Sequence, residues 1–271
     1  MIDNKEYKAF NPIANALDFS ILEHGYLHAD EEWVFHDVIS PFNRMYFVID
    51  GSGLIYNKDA KEKIQAGKVY MVPLGTSFDY RCDHLLHMFY IHFRLELIPG
   101  IDLFEPESSC LSHDIDSARL TDLVAQASRT QVSDILKCKA VFYEYIGHFL
   151  DMNSALLEDQ VSLMGNYGHV YRFVQEHCSA KLKVSDVATH FGSTLSTFSK
   201  RFKTHTGMTP KSYIDKKLVR EAQQKLLITD MTVREIAYDL KFSDEFHFSR
   251  YFKKHVGSSP NYYRQRSNIY K

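Results

Sequence analysis

Residues 184 to 263 contain one pattern written twice, and that repetition constrains the chain more than any other feature in it. The first copy runs from Val184-Ser185-Asp186-Val187-Ala188 to Phe198-Ser199-Lys200-Arg201-Phe202-Lys203, then Gly207, Pro210 and Tyr213. The second runs from Val233-Arg234-Glu235-Ile236-Ala237 to Phe248-Ser249-Arg250-Tyr251-Phe252-Lys253, then Gly257, Pro260 and Tyr263. The offset is 49 residues up to Phe191 and Leu240 and 50 from Phe198 and Phe248 onward, so the second copy holds one extra residue in its turn.

Each copy predicts a helix, a tight turn and a second helix. Ser185 can cap the first helix, Val187, Ala188 and Phe191 share one face, and Gly192 can take the left-handed conformation that ends it. Thr194 then caps a second helix in which Leu195, Phe198 and Phe202 recur at 3 and 4, ending at Gly207 with Pro210 beyond. In the second copy Asp244 stands as the cap, and Phe248 and Phe252 repeat the apolar stripe. Ala188 and Ala237 sit where two helices of such a motif approach closely.

The outer face of one second helix carries Ser196, Thr197, Ser199, Lys200 and Lys203, and that of the other Glu245, Phe246, His247, Ser249, Arg250 and Lys253. Hydrogen-bonding groups at a helix start, followed by cations, are what a recognition helix needs. Base edges are read near its N-terminus, and phosphates are held by Lys and Arg. A merely solvated face explains one such helix, but two at one offset favour recognition. Charge agrees: from Gly165 onward there are 19 Lys and Arg against 9 Asp and Glu, a net of +10, whereas the part up to Met164 has 13 against 25, a net of −12. The polyanion partner belongs to the second half.

These residues resemble the DNA-binding domain of AraC/XylS-type transcriptional regulators over 166–266, most specifically in Ile236-Ala237 through Phe242-Ser243-Asp244, Phe248 to Lys254, Gly257, Ser259-Pro260 and Tyr263-Arg264. The resemblance implies two helix-turn-helix subdomains joined by a linker helix at about Pro210 to Leu227. It would place Ser196, Thr197, Ser199 and Lys200 in one major groove and Glu245, Phe246, His247 and Arg250 in the next. Two departures stand out. The family usually has Gly where Lys241 stands, and often Arg where Leu218 stands.

Upstream, residues 17 to 96 read as short strands, among them Trp33 to Phe35, Arg44 to Ile49, Lys68 to Val72 and Leu85 to Leu95. They are punctuated by Asp50-Gly51-Ser52-Gly53, Asn57 to Asp59, Ala66-Gly67 and Pro73-Leu74-Gly75, and the regular spacing suggests an antiparallel barrel or jelly roll. Pro99-Gly100 and Pro106 mark a connection. Two amphipathic helices follow, Ser117 to about Arg129 and Ser133 to Asp151, the second with Ile135, Cys138, Phe142, Tyr145 and Phe149 on one stripe.

The order of these signals resembles the cupin-type sensory domain that precedes the reader in many members of that family. Gly67, Pro73 and Gly75 resemble the second cupin motif, and Asp50 to Gly53 the glycine turn closing the first. Enzymatic cupins carry a His-x-His and a Glu before that turn and a His three residues after the last Gly. Here those places read Pro41-Phe42-Asn43-Arg44 and Phe78, so no metal and no cofactor is expected. No Ser-His-Asp or Cys-His constellation is recognisable either.

The fold class expected is therefore α+β: a cupin-like antiparallel β-barrel over 1–110, a helical dimerisation segment over 111–152, a linker over 153–165, and an all-α reader over 166–271 with motifs at about 184–207 and 233–257. Trp33, His36, Arg44, Tyr46, Tyr80 and His92 are the candidates for lining a small-molecule site, with a sugar as the suggested effector. Alternation on the last strand separates Met88, Tyr90, His92 and Arg94 from Phe89, Ile91, Phe93 and Leu95, and leaves open which set points inward. The resemblance implies a homodimer through the two helices, promoter half-sites in double-stranded DNA, and contact with RNA polymerase. Cys82, Cys110, Cys138 and Cys178 are too widely spaced for a metal or redox motif and are expected reduced. No 18-residue apolar run and no leader at Met1-Ile2-Asp3-Asn4-Lys5 suggests membrane insertion or export, so a cytoplasmic location is expected. Two other readings remain open, a metal-dependent cupin enzyme and a DNA-binding regulator whose barrel binds nothing.

Overall fold

The computed structural model describes residues 10–105, 107–152 and 155–267; the expectations that fall on Met1 to Lys5 and on Pro106 lie outside the described residues. Contacts divide the chain into two compact units. One comprises Phe19–Leu95 with Leu103–Leu157; the other comprises Glu158–Lys271 with Glu96–Asp102 and the segment up to Asp18, which includes helix α1 (Phe10–Ala16). The class is α+β, with an antiparallel sheet first and helices after it.

The sheet is built from β1 (Asp18–Asp30), β2 (Val34–Ile39), β3 (Asn43–Tyr56), β4 (Lys61–Gln65), β5 (Lys68–Val72), β6 (Ser77–Ile98), β7 (Ile101–Asp102) and β8 (Leu111–Asp114). Its order is β1-β6-β3-β5-β8, with β2 and β7 also on β6 and β4 on β3. A ribbon of β3 and β6 forms its spine, with Arg44 opposite His92 at one end and Ile55 opposite Tyr80 at the other. Arg44 and Ile55 are eleven residues apart, which on a straight strand is about 36 Å. Yet Arg44 Nη1 donates to Tyr80 Oη at 2.7 Å. The ribbon must therefore curl back on itself, as a barrel wall does.

The curl has a local cause. Asp50-Gly51-Ser52-Gly53, expected as a turn, lies inside β3, and the pairing with β6 slips between Val48 and Asp50 and again between Gly51 and Gly53. Gly51 sits at φ +84°, and a Cβ there would lie 1.9 Å from the Leu85 carbonyl oxygen. Only glycine permits that approach, and the bulge re-aims the strand. The turns proper are at Asn57–Ala60, at Gly67 and at Gly75, the last two with φ +79° and +77°.

Helix α3 (Val132–Asp151) covers one face of the ribbon, and α2 (Ser117–Ala127) packs beside it. Phe47 meets Phe89, Phe142 and Tyr145 there at ring separations of 6.1, 5.8 and 5.8 Å. Phe89 thus lies under α3, which by alternation puts Ile91, Phe93 and Leu95 on the same face and Met88, Tyr90, His92 and Arg94 on the inside of the curl. On α3, Cys138, Phe142, Tyr145 and Phe149 are buried as expected, but Ile135 is exposed, because Val141 and Ile146 extend the buried stripe on its other edge.

The helical run of the other unit opens within α4 (Ala155–Glu176), so helix already occupies the expected linker from residue 155. It continues with α5 (Val184–His190), α6 (Leu195–Thr206), α7 (Pro210–Ile228), α8 (Val233–Asp239), α9 (Glu245–Val256) and α10 (Pro260–Ser267). Val170, Tyr171, Val174, Val187, Ala188, Phe198, Phe202, Tyr213 and Ile214 form one core. Ile98 joins it from the Glu96–Asp102 hairpin, and Tyr213 Oη donates to the Pro99 carbonyl at 2.6 Å. The expected stretch 1–110 is therefore not one block. Leu218, Ala222, Leu226, Ile236, Ala237, Leu240, Phe242, Phe248, Phe252 and Tyr263 form a second core. Helix α7 serves both: Ile214, Leu218, Ala222 and Leu226 make one ridge of spacing 4, its first member in one core and the rest in the other. Leu218 is thus a core residue of the second subdomain.

The four cysteines are free thiols, and burial raises those of Cys82, Cys110, Cys138 and Cys178 above the ordinary range. Among the described residues no helix is long and apolar enough to cross a membrane.

Candidate nucleic-acid interface

The two reading helices start from equivalent turns. After α5 the chain turns at Gly192, φ +61°, and the Ser193 N–H donates to the Ala188 carbonyl at 2.9 Å. After α8 it turns at Lys241, also φ +61°, and the Phe242 N–H donates to the Ala237 carbonyl at 2.9 Å. Thr194 then caps α6, accepting from the Thr197 N–H at 3.3 Å, and Asp244 caps α9, accepting from the His247 N–H at 2.7 Å. Hydrogen bonds from the His247 N–H and then the Ser243 hydroxyl hold the Asp244 carboxyl below its ordinary range, so it caps as an anion at the positive end of the helix. Ser185 does not cap α5. It lies within the first turn, and Asp186 reaches back to the Lys183 N–H at 3.0 Å.

Phe198 and Phe202 on α6, and Phe248 and Phe252 on α9, are buried, which fixes the roll of each helix. Ser196, Thr197, Lys200 and Lys203 are left exposed on one, and Phe246, His247, Arg250 and Lys253 on the other; Ser199, Glu245 and Ser249 are half-buried. Arg201 and Lys254, outside the expected set, are exposed beside them. Sequence reasoning also passed over Ser243. Its hydroxyl donates to Asp244 Oδ2 at 3.0 Å and meets His247 Nδ1 at 3.1 Å, which orients the His247 ring. Nothing in the periodicity marks a turn serine for such a role.

Helix α7 separates the two readers. Its 19 residues make a rod of about 28 Å, and Arg264 closes its C-terminal end by donating to the Leu226 and Met231 carbonyls at 2.8 and 2.6 Å.

The small-molecule candidates divide. Trp33, Arg44, Tyr80 and His92 come together on the inner face, with Trp33 against Tyr80 at 5.6 Å and the Arg44 guanidinium over the rings of Phe42 and Tyr80 at 5.6 and 5.4 Å. Phe42, which sequence reasoning missed, stacks on His92 at 4.6 Å. Tyr46 is fully buried two residues along the same face, opposite Tyr90. His36 is not in this group. Pairing of β2 slips between Phe35 and Val38, with Asp37 at φ +53°, and His36 is turned outward, 3.6 Å from Asp79. Burial pushes the pKa of His92 down to about 4, with Arg44 adding to the shift and the hydrogen bond to Glu23 opposing it.

A helix-turn-helix domain family model matches residues 187–266. The chain is 22% identical to the Msm operon regulatory protein of Streptococcus mutans serotype c over 261 residues, 93% of this chain and 94% of that protein. It is 23% identical to the raffinose operon transcriptional regulatory protein RafR of Pediococcus pentosaceus, over 76% of this chain and 78% of that one. It is 30% identical to the HTH-type transcriptional activator RhaS of Escherichia fergusonii over 112 residues, 41% of this chain and 40% of that one. These relatives are named as regulators, and together with the domain match they agree with a reader built twice on one rod: residues 187–266 form a helix-turn-helix domain similar to that of the AraC/XylS-type transcriptional regulators.

Proposed function

We propose that one subunit reads two successive major-groove segments of promoter DNA about 10 bp apart, under control of a small molecule held on the inner face of its sheet. The observation that supports this best is the duplication itself. Two helices with equivalent caps, equivalent turns and exposed donors and cations lie on one rod of about 28 Å, close to the ~34 Å rise of one turn of DNA. Arg250 and Lys200 are assigned to bases, and Lys203 and Lys253 to phosphates.

The effector is a polar, hydroxyl-bearing molecule, for which stacking on aromatic rings and hydrogen bonds from Arg44 and Tyr80 are suited; a relative named for a raffinose operon supports a sugar. The Trp33 indole N–H is buried without an acceptor among the described residues, which a bound hydroxyl would supply. The protein acts without catalysis, as a cytoplasmic homodimer. Ligand shifts the balance between arrangements that differ in affinity for promoter DNA.

Selection of genomic fragments by the purified full-length protein, with and without a pooled metabolite mixture at physiological salt, tests the reading. Sites with two elements one helical turn apart are expected, and no enrichment over random fragments in either condition would overturn it. Trp33 is the only tryptophan in the chain, so tryptophan fluorescence reports this cluster alone. A flat titration across sugars and small acids would remove the effector assignment.

A further inference from the structure

We propose that the second reading helix recognises thymine through its 5-methyl group, with Phe246 as the contacting side chain. This rests on the DNA-reading function proposed above.

Phe246 is 69% exposed, among the most exposed large apolar side chains described. It stands in the first turn of α9, where a recognition helix meets base edges. The fold does not require an apolar residue there, because the same place in the first copy is Ser196 and α6 forms equally well. Scattered surface apolar residues are common, but this one sits on the reading face beside His247 and four residues before Arg250. The major groove offers an aromatic side chain one apolar group, the thymine methyl.

His247 points to the same base pair type. The extra residue of the second copy falls between Lys241 and Asp244, where Phe242 and Ser243 stand against the single Ser193. Phe242 fills the core, and Ser243 reaches His247. Ser243 has one hydroxyl proton and donates it to Asp244 Oδ2, a carboxylate that can only accept. Towards His247 the Ser243 oxygen is therefore an acceptor, and Nδ1 carries the imidazole proton. In the neutral ring Nε2 is then a hydrogen-bond acceptor, suited to an exocyclic amine of adenine or cytosine. An A·T pair displays both a thymine methyl and an adenine amine in the major groove. Ser243 is a positioning residue in this scheme, acting through His247.

The test uses full-length protein at pH 8 and an operator enriched from a random duplex pool. Each thymine of the second element is replaced in turn by deoxyuridine, which removes only the methyl. Wild-type affinity should fall about four- to ten-fold at one position. Phe246→Ser should bind thymine DNA as weakly as wild type binds the deoxyuridine DNA and be indifferent to the replacement. Ser243→Ala should broaden base preference next to that thymine and leave affinity for random DNA unchanged. If wild type binds every deoxyuridine duplex normally, the methyl contact is wrong while DNA reading stands. If no operator is enriched at all, the contact falls together with the reading it rests on. Thermal unfolding of both variants separates loss of fold from loss of contact.

Discussion

Lys241 and His92 are residues placed at a cost to the fold. Lys241 holds φ +61°, the same value as Gly192 in the first copy, so a side chain occupies a turn that glycine serves without strain. The strain is of order 1–2 kcal/mol, reduced by the greater freedom glycine gives the unfolded chain. Lys241→Gly should therefore stabilise the second subdomain by up to about 1 kcal/mol, seen as a higher midpoint in denaturant. An unchanged midpoint would mean that another contact compensates for the strain. His92, by contrast, is buried neutral, with its pKa lowered from 6.5 to about 4. The unfolded chain takes up this proton first as pH falls. Stability from a neutral His92 is complete above about 6.5 and declines down to about 4. His92→Gln should flatten unfolding free energy against pH in that window; parallel profiles for the two proteins would show that His92 is not held neutral. Lys241 stood out in the sequence because the family it resembles usually has glycine there. The burial of His92 did not, because alternation assigns it to a face without saying which face is inside.

At the scale of elements, the reading helices were the most legible part of the chain. Their apolar residues recur at 3 and 4, and capping is a bond between neighbours, so Thr194 and Asp244 could be placed from local pattern alone. The strands were read less well. Asp50 to Gly53 carries the residues of a turn but forms a bulge, and glycine marks either one; only the Leu85 carbonyl beside Gly51 decides between them. From the faces of α6 and α9, Lys200→Ala and Arg250→Ala should each weaken operator binding by about 1 to 3 kcal/mol and relax preference at one base. Lys203→Ala should weaken operator and random DNA alike and lower the salt slope by about 1. Normal binding by both Lys200→Ala and Arg250→Ala would show that these helices are not the readers. Direct titration of labelled duplexes at several salt concentrations measures all three.

At the scale of the whole molecule, the charge split of −12 and +10 assigned the polyanion partner to the helical half before any fold was known. Association is a second property at this scale. On α3, Val132, Ile135 and Leu136 are 73%, 47% and 61% exposed and lie together in its first turns, so α3 carries an apolar face beyond the one it buries on the sheet. If that face joins two subunits, Leu136→Glu should shift the sedimentation of the protein from dimer to monomer while leaving its circular dichroism unchanged; a dimer that survives the substitution would place the interface elsewhere. The sequence by itself determined the two reading helices, their caps, the rod between them and the class of partner. All of these rest on contacts between near neighbours or on net charge, and the repeat states them twice. Tertiary structure alone decided that His36 faces outward, that Arg44 meets Tyr80, and that Ile98 belongs to the core of the first reading subdomain. Those contacts join residues far apart in the chain. A strand that alternates has two equivalent faces until the rest of the chain has buried one of them.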